Sequence, residues 1–76
     1  MKTLTDKEAR EALQNGFSLT NVDGNILKLA ENESDKVVNI FWLEGQMGVE
    51  ILELDDPRQP FEGLSLVTNH PKGFRF

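Results

Sequence analysis

The chain has 76 residues, a formal net charge of −5 at pH 7, one histidine and no cysteine. This length allows one domain, whose single small core leaves about 3–5 kcal/mol of net stability. Without cysteine the chain has no disulfides and lacks the commonest structural zinc ligand, and one histidine makes a histidine-based metal site equally unexpected. The remaining way to add stability is association, either with a second copy of the chain or with a partner.

Charge is distributed unevenly along the chain. The net charge is +1 over residues 1–10, −8 over residues 11–56 and +2 over residues 57–76. The acidic middle disfavours direct binding to DNA, RNA or an anionic membrane, because affinity for these comes from basic side chains. We therefore expect a partner that is a neutral or basic protein.

The N-terminal segment MKTLTDKEAR is polar and has no signal-like apolar run. No stretch approaches the roughly 18 apolar residues that a membrane span needs. The sequence therefore predicts a cytoplasmic protein.

The first predicted element is a helix over about residues 5–15. Thr5 and Glu8 have the spacing of a capping box, and Asn15-Gly16 is typical of a left-handed helix end. The apolar positions of this helix form one stripe: Ala9, Ala12 and Leu13. A helix this short is marginal alone, so we expect it to pack on another element.

The rest of the chain predicts strands and turns. Asp23-Gly24 is a signal for a two-residue type I′ turn, and EGQMG joins two apolar runs. The predicted strands lie at residues 17–22, 25–31, 36–44, 48–55 and 61–68, followed by a tail at 69–76. The order predicts a single α+β domain over residues 1–76, with one short N-terminal helix packed on an antiparallel β-meander of four to five strands.

The third predicted strand is apolar on both faces. Alternate residues of a strand point to opposite sides, and Val38, Ile40 and Trp42 oppose a second largely apolar set. One short helix covers one face of a sheet. The second face is closed by curling of the sheet, is buried in a homodimer, or is a hydrophobic recognition patch; curling is the commoner outcome in small twisted sheets.

Catalysis and ion binding have little support in the residues. His70 stands alone before a proline and favours a solvated turn, and the glycines lack a phosphate-binding spacing. The oxygen ligands of a calcium loop are also not at their required positions. We expect no enzyme activity, no cofactor and no metal.

Three groups of residues are candidates for partner binding. Tryptophan is enriched at binding hot spots and methionine adapts to varied surfaces. We expect Met47 to be exposed at a hairpin tip, whereas a tryptophan in a central strand more often belongs to the core. The candidates are the apolar pair Trp42 and Met47, the acids Glu44, Glu50, Glu53, Asp55 and Asp56, and the C-terminal Phe74, Arg75 and Phe76.

Acids clustered on a stiff sheet can imitate a row of phosphates. In composition and architecture, although in no motif, this resembles small acidic inhibitors of nucleic-acid enzymes, some of them phage-encoded. The leading hypothesis is a non-enzymatic protein-binding or regulatory module, with small size suggesting a phage or mobile-element accessory or inhibitor protein. An acidic nucleic-acid mimic that blocks a DNA- or RNA-binding protein is one alternative, and a structural homodimer is another.

Overall fold

The computed structural model describes residues 3–67. The predictions for residues 68–76, including His70, Phe74, Arg75 and Phe76, lie outside the described residues. The elements are α1 (Asp6–Gln14), β1 (Leu19–Thr20), β2 (Ile26–Leu29), β3 (Lys36–Leu43), β4 (Gln46–Glu53) and β5 (Ser65–Leu66). One short helix on a five-stranded antiparallel sheet confirms the predicted α+β fold.

Helix α1 begins and ends where its local signals predict. Thr5 Oγ1 accepts from the Glu8 N–H at 3.1 Å, and the Glu8 carboxylate accepts from the Thr5 N–H at 3.0 Å, which completes the capping box. At the other end Gly16 takes a φ of +88°. The N–H groups of Gly16 and Phe17 donate to carbonyls of the last turn at 3.0 Å each, so the helix ends in a Schellman motif.

The sheet has the strand order β4-β3-β2-β1-β5. Strands β1 to β4 form an antiparallel meander, whereas β5 crosses to the far edge and pairs with β1. The predicted strand over 61–68 is reduced to Ser65–Leu66 in the described part of the chain. The reason lies in the segment before it, where the Leu4 N–H donates to the Leu64 carbonyl and the Gly63 N–H to the Leu4 carbonyl.

The turn between β1 and β2 differs from the predicted type I′ turn. That turn needs a positive φ at both central residues, and of the two only Gly24 has one, at +83°. The Asn21 side-chain oxygen accepts from the N–H groups of Asp23 and Asn25, at 3.0 Å each. An asparagine side chain therefore organises the turn, and β1 ends at Thr20 rather than at residue 22.

A type I′ turn is found instead between β3 and β4. Glu44 and Gly45 have φ values of +52° and +81°, which is the pattern of a two-residue hairpin. Strand β4 therefore begins at Gln46, two residues earlier than predicted. The placement of Met47 at a hairpin tip is wrong, because it lies within β4 directly opposite Trp42.

The core lies between α1 and one face of the sheet. The helix contributes its apolar stripe, and the loop after β4 closes the side of the core. The buried apolar residues are Ala9, Leu13, Leu19, Leu27, Val37, Leu54, Phe61 and Leu64. Every apolar strand residue in this set lies on the helix side, so the core occupies that side of the sheet alone.

Candidate functional site

The side of the sheet opposite α1 carries apolar side chains of β2, β3 and β4, with Lys28 among them opposite Val38. Directly paired residues share a face of an antiparallel sheet, and alternate residues exchange faces. The register therefore places one set of apolar side chains away from the helix. We call this set the open face: Ile26, Val38, Ile40, Trp42, Met47, Val49 and Ile51.

Exposure on the open face is greatest at Trp42 and along β4, whereas Ile26, Val38 and Ile40 are half-buried. Trp42 is 53% exposed and Met47 is 65% exposed, and Val49 and Ile51 are each 56% exposed. The preference for Trp42 as a core residue is wrong, because Trp42 lies on the face away from α1 and beyond Ile40, the last β3 residue paired with β2. The predicted exposure of Met47 is confirmed. Curling does not close this face within the described part of the chain.

Cross-strand pairing makes the open face contiguous. Trp42 lies opposite Met47, Ile40 opposite Val49, and Val38 opposite Ile51. A two-residue hairpin closes on a hydrogen-bonded pair, so these three pairs fall at the alternate, non-hydrogen-bonded positions, where side chains approach most closely. Two parallel rows of apolar side chains therefore run side by side along the hairpin.

The same register turns alternate backbone groups of β4 toward its outer edge. Residues at non-hydrogen-bonded positions direct their backbone N–H and C=O groups away from the neighbouring strand, which here means Met47, Val49 and Ile51. No strand lies beyond β4 among residues 3–67. The strand has eight residues in unbroken register, without proline, lysine or arginine. Natural sheets usually block such an edge with a bulge, a proline or a lysine.

Two of the candidate acids lie on β4 and point to opposite faces. Glu53 shares the side of the open face, where its carboxylate lies 2.9 Å from the Lys36 ammonium. That hydrogen bond raises the pKa of Lys36. Glu50 lies on the helix side and accepts from the Asn39 side-chain amide at 3.2 Å.

The other candidate acids lie at the two ends of the hairpin. Glu44 is exposed in the turn, and Asp55 is exposed beyond the end of β4. The Asp56 carboxylate accepts from the Arg58 N–H at 2.9 Å, and this bond lowers the pKa of Asp56. The structure therefore spreads the candidate acids over two faces and two ends of the hairpin rather than aligning them in one row.

The contacts of Arg10 could not be predicted from the sequence, in which Arg10 is one of several polar residues of the helix. Its guanidinium Nε donates to the Asp6 carboxylate at 2.7 Å, one helical turn earlier. The group also lies over the ring of Phe61, 4.8 Å from the ring centre. The other carboxylate oxygen of Asp6 accepts from the Phe61 N–H at 2.8 Å. Two helix residues thus fix one aromatic residue of the core.

The same guanidinium holds the loop that follows β4. Its two terminal nitrogens donate to the carbonyls of Leu54, Asp56 and Gln59, the last two at 3.0 and 2.5 Å. Asp-Pro and Gln-Pro steps prevent this loop from forming a ladder, so its carbonyls need another donor. Arg10 supplies it, and the loop stays closed over the core. The sequence signal is the Asp6–Arg10 spacing of four, which alone does not identify the acceptors.

Asp6 makes the stability of this contact depend on pH. The Arg10 side chain, and after it the Phe61 N–H, lowers the pKa of Asp6 below its ordinary value of 3.8. A carboxyl whose pKa is lower in the folded state stabilises fully above its unfolded pKa, and loses that contribution as the pH falls through the folded pKa.

We expect Asp6→Asn to reduce the free energy of unfolding at pH 7, and we expect the difference from wild type to shrink below about pH 4. Asparagine retains an acceptor for the Phe61 N–H but lacks the charge that faces Arg10. Urea titrations of both proteins over a pH series measure the difference. A difference that stays constant with pH would contradict an electrostatic origin.

Residues 3–67 offer little support for metal binding or for a membrane-spanning helix. This part of the chain contains no group of three or more histidine, aspartate or glutamate residues placed to hold a metal ion. Its helix is too short and too polar to cross a membrane. Comparison of the chain with family models, curated proteins and solved structures finds no match. The open face and the outer edge of β4 are thus the features on which a function can be argued.

Proposed function

We propose that this protein is a non-enzymatic binding module that docks on another protein through its open face. The observation that supports the proposal is a contiguous row of exposed apolar side chains on the side of the sheet away from the core. Exposed apolar surface of this kind commonly marks an interaction site. A regulatory or inhibitory role toward the partner fits the small size of the chain.

Trp42 and Met47 are the proposed anchors of the contact. They lie opposite each other at the turn end of the hairpin, and each leaves more than half of its surface exposed. A large aromatic ring loses little conformational entropy when it is buried, and methionine adjusts to the shape that it meets. Glu44 in the adjacent turn adds a charge at the rim of this contact.

The phosphate-mimic alternative has weaker support. It requires carboxylates that face one basic groove at regular spacing, whereas Glu50 and Glu53 point to opposite faces of β4. Glu53 is also paired with Lys36, which offsets its charge. Binding through the open face should depend weakly on salt, and binding through a row of acids should depend steeply on salt. The structural homodimer uses the same surface as the proposal, so its test is the mass of the protein in solution.

The proposal is tested by affinity capture from the source cells at low and high salt, with identification of the captured protein. We expect a double variant, Trp42→Ser with Met47→Ser, to lose at least about tenfold in affinity for that protein, because two hot-spot side chains are removed. Val22→Ser is the matched control, since Val22 is apolar, 97% exposed and located in the β1–β2 turn.

Two outcomes would contradict docking through the open face. One is retention of the captured protein by the double variant. The other is a protein that is dimeric in sedimentation and becomes monomeric in the double variant, which would assign the face to self-association.

A further inference from the structure

We propose that the outer edge of β4 pairs with an extended segment of the partner, in which apolar side chains alternate with lysine or arginine. The segment adds a sixth strand to the sheet, a mode known as β-augmentation. This inference rests on the proposed function and specifies the part of the partner that is recognised. It follows from the coincidence of three features on one strand: backbone groups that point outward from the sheet, exposed apolar side chains, and the exposed carboxylate of Glu50, whose described hydrogen bond comes from an amide.

The backbone supplies the attachment. Met47, Val49 and Ile51 direct their N–H and C=O groups outward from the sheet. The side chains of the same three residues belong to the open face. An incoming strand that satisfies these backbone groups therefore places alternate side chains beside them, on the open-face side. Apolar residues at those positions extend the apolar surface, and polar residues there would interrupt it.

The charge of β4 determines which residues we expect between the apolar positions of the incoming strand. The charged side chains of β4 are Glu50 and Glu53, and Glu44 and Asp55 flank the strand. Glu50 is exposed on the helix side, where its described hydrogen bond comes from an amide rather than from a cation. An incoming strand places its intervening side chains on this same side. Opposite charges across a strand pair stabilise it, which favours lysine or arginine facing Glu50.

The same charges disfavour a second copy at this edge. Two β4 strands side by side would bring two acidic strands together, and each chain carries a net charge of −5. Pairing centred on Glu50 would place two carboxylates directly opposite each other, which is destabilising. The negative potential at β4 attracts a basic strand from a different protein and repels a second copy of this acidic chain.

The test uses a short blocked peptide of alternating valine and lysine as the probe, with isothermal titration or fluorescence anisotropy as the readout. We expect it to bind the full chain, and to bind at least about tenfold more tightly than a matched peptide of alternating valine and glutamate. Methylation of those backbone nitrogens of the peptide that face β4 should abolish binding, whereas methylation of the alternate nitrogens should leave it intact.

A variant of the protein provides the second arm. Val49→Pro removes an outward N–H, and proline is tolerated on an edge strand where its nitrogen faces solvent. We expect this variant to lose peptide binding with its circular dichroism spectrum retained, and we expect Glu50→Gln to weaken binding and reduce its salt dependence. If Val49→Pro does not fold, the methylated peptides still decide the question.

Three results would overturn the proposal: no binding of the valine–lysine peptide, equal binding of the valine–glutamate peptide, or insensitivity to the position of methylation. A wild-type dimer that Val49→Pro converts to monomer would also overturn it, by assigning the edge to a second copy. These failures are separate from failure of the proposed function. If partner capture still depends on Trp42 and Met47 while the peptide does not bind, the open face binds the partner and the edge does not.

Discussion

Replacing Arg10 with alanine is expected to lower the free energy of unfolding by about 2–4 kcal/mol, because it removes one donor from each of four part-buried acceptors. The Leu54, Asp56 and Gln59 carbonyls and the Asp6 carboxylate would all lose a partner. A domain of this size has about 3–5 kcal/mol in total, so we expect most of the stability to be lost. Urea titration followed by circular dichroism measures the change.

Two matched variants separate this effect from a loss of helix charge. Lys7→Ala removes a positive charge from an exposed position of the same helix, and we expect a change within about 0.5 kcal/mol. Arg10→Lys keeps the charge but replaces the planar fork with one ammonium, which cannot reach three carbonyls and a carboxylate together. We expect it to recover less than half of the loss. Full recovery by lysine would show that charge, rather than the fork geometry, holds the loop.

The helix could be predicted from the sequence because its signals are local. Thr5 and Glu8 are three residues apart, and Gly16 follows the last turn directly, so the groups that decide each end are neighbours in the chain. The role of Arg10 could not be predicted in the same way. Its carbonyl acceptors lie 44 to 49 residues further along the chain and carry no side-chain signature. These backbone acceptors can be identified only when the position of the loop after β4 in the fold is known.

The hairpin shows how one residue type can mislead. Gly48 suggested the end of a turn, yet it lies inside β4. The space that its Cβ would fill is occupied by the Phe41 ring of the paired strand, with ring atoms 2.5 Å from that position. A strand glycine covered by an aromatic ring and a turn glycine look identical in sequence. The actual turn glycine is Gly45, and its φ of +81° explains why that position requires glycine.

The uncovered sheet face could be predicted in outline. Val38, Ile40 and Trp42 alternate along β3, and a single short helix covers only one face of a sheet. The sequence could not show which face the helix takes, because both faces of β3 are apolar. It also could not show that β5 crosses to β1, which leaves β4 at the edge. The exposure of Trp42 follows from its position on the face away from α1, beyond Ile40, the last β3 residue paired with β2.

The contrast between two aromatic residues tests this arrangement directly. Phe61 is 1% exposed and packs in the core, so Phe61→Ala is expected to cost about 3–5 kcal/mol and to abolish cooperative unfolding. Trp42→Ala removes a larger ring from the open face, yet we expect a loss of about 1 kcal/mol or less, since more than half of that ring is already in water. Urea titration of both variants gives the comparison.

Trp42 is the one tryptophan of the chain, so its fluorescence reports on the open face without labelling. We expect acrylamide to quench the emission of wild-type protein to an extent between that of a buried tryptophan and that of a free tryptophan derivative, because Trp42 is 53% exposed. Binding of the partner protein should protect the ring and reduce the quenching. If Trp42→Ala proved as destabilising as Phe61→Ala, and wild-type emission were shielded at every protein concentration, the chain itself would cover this face and the docking surface would be lost. Shielding that disappeared on dilution would place a second copy there instead.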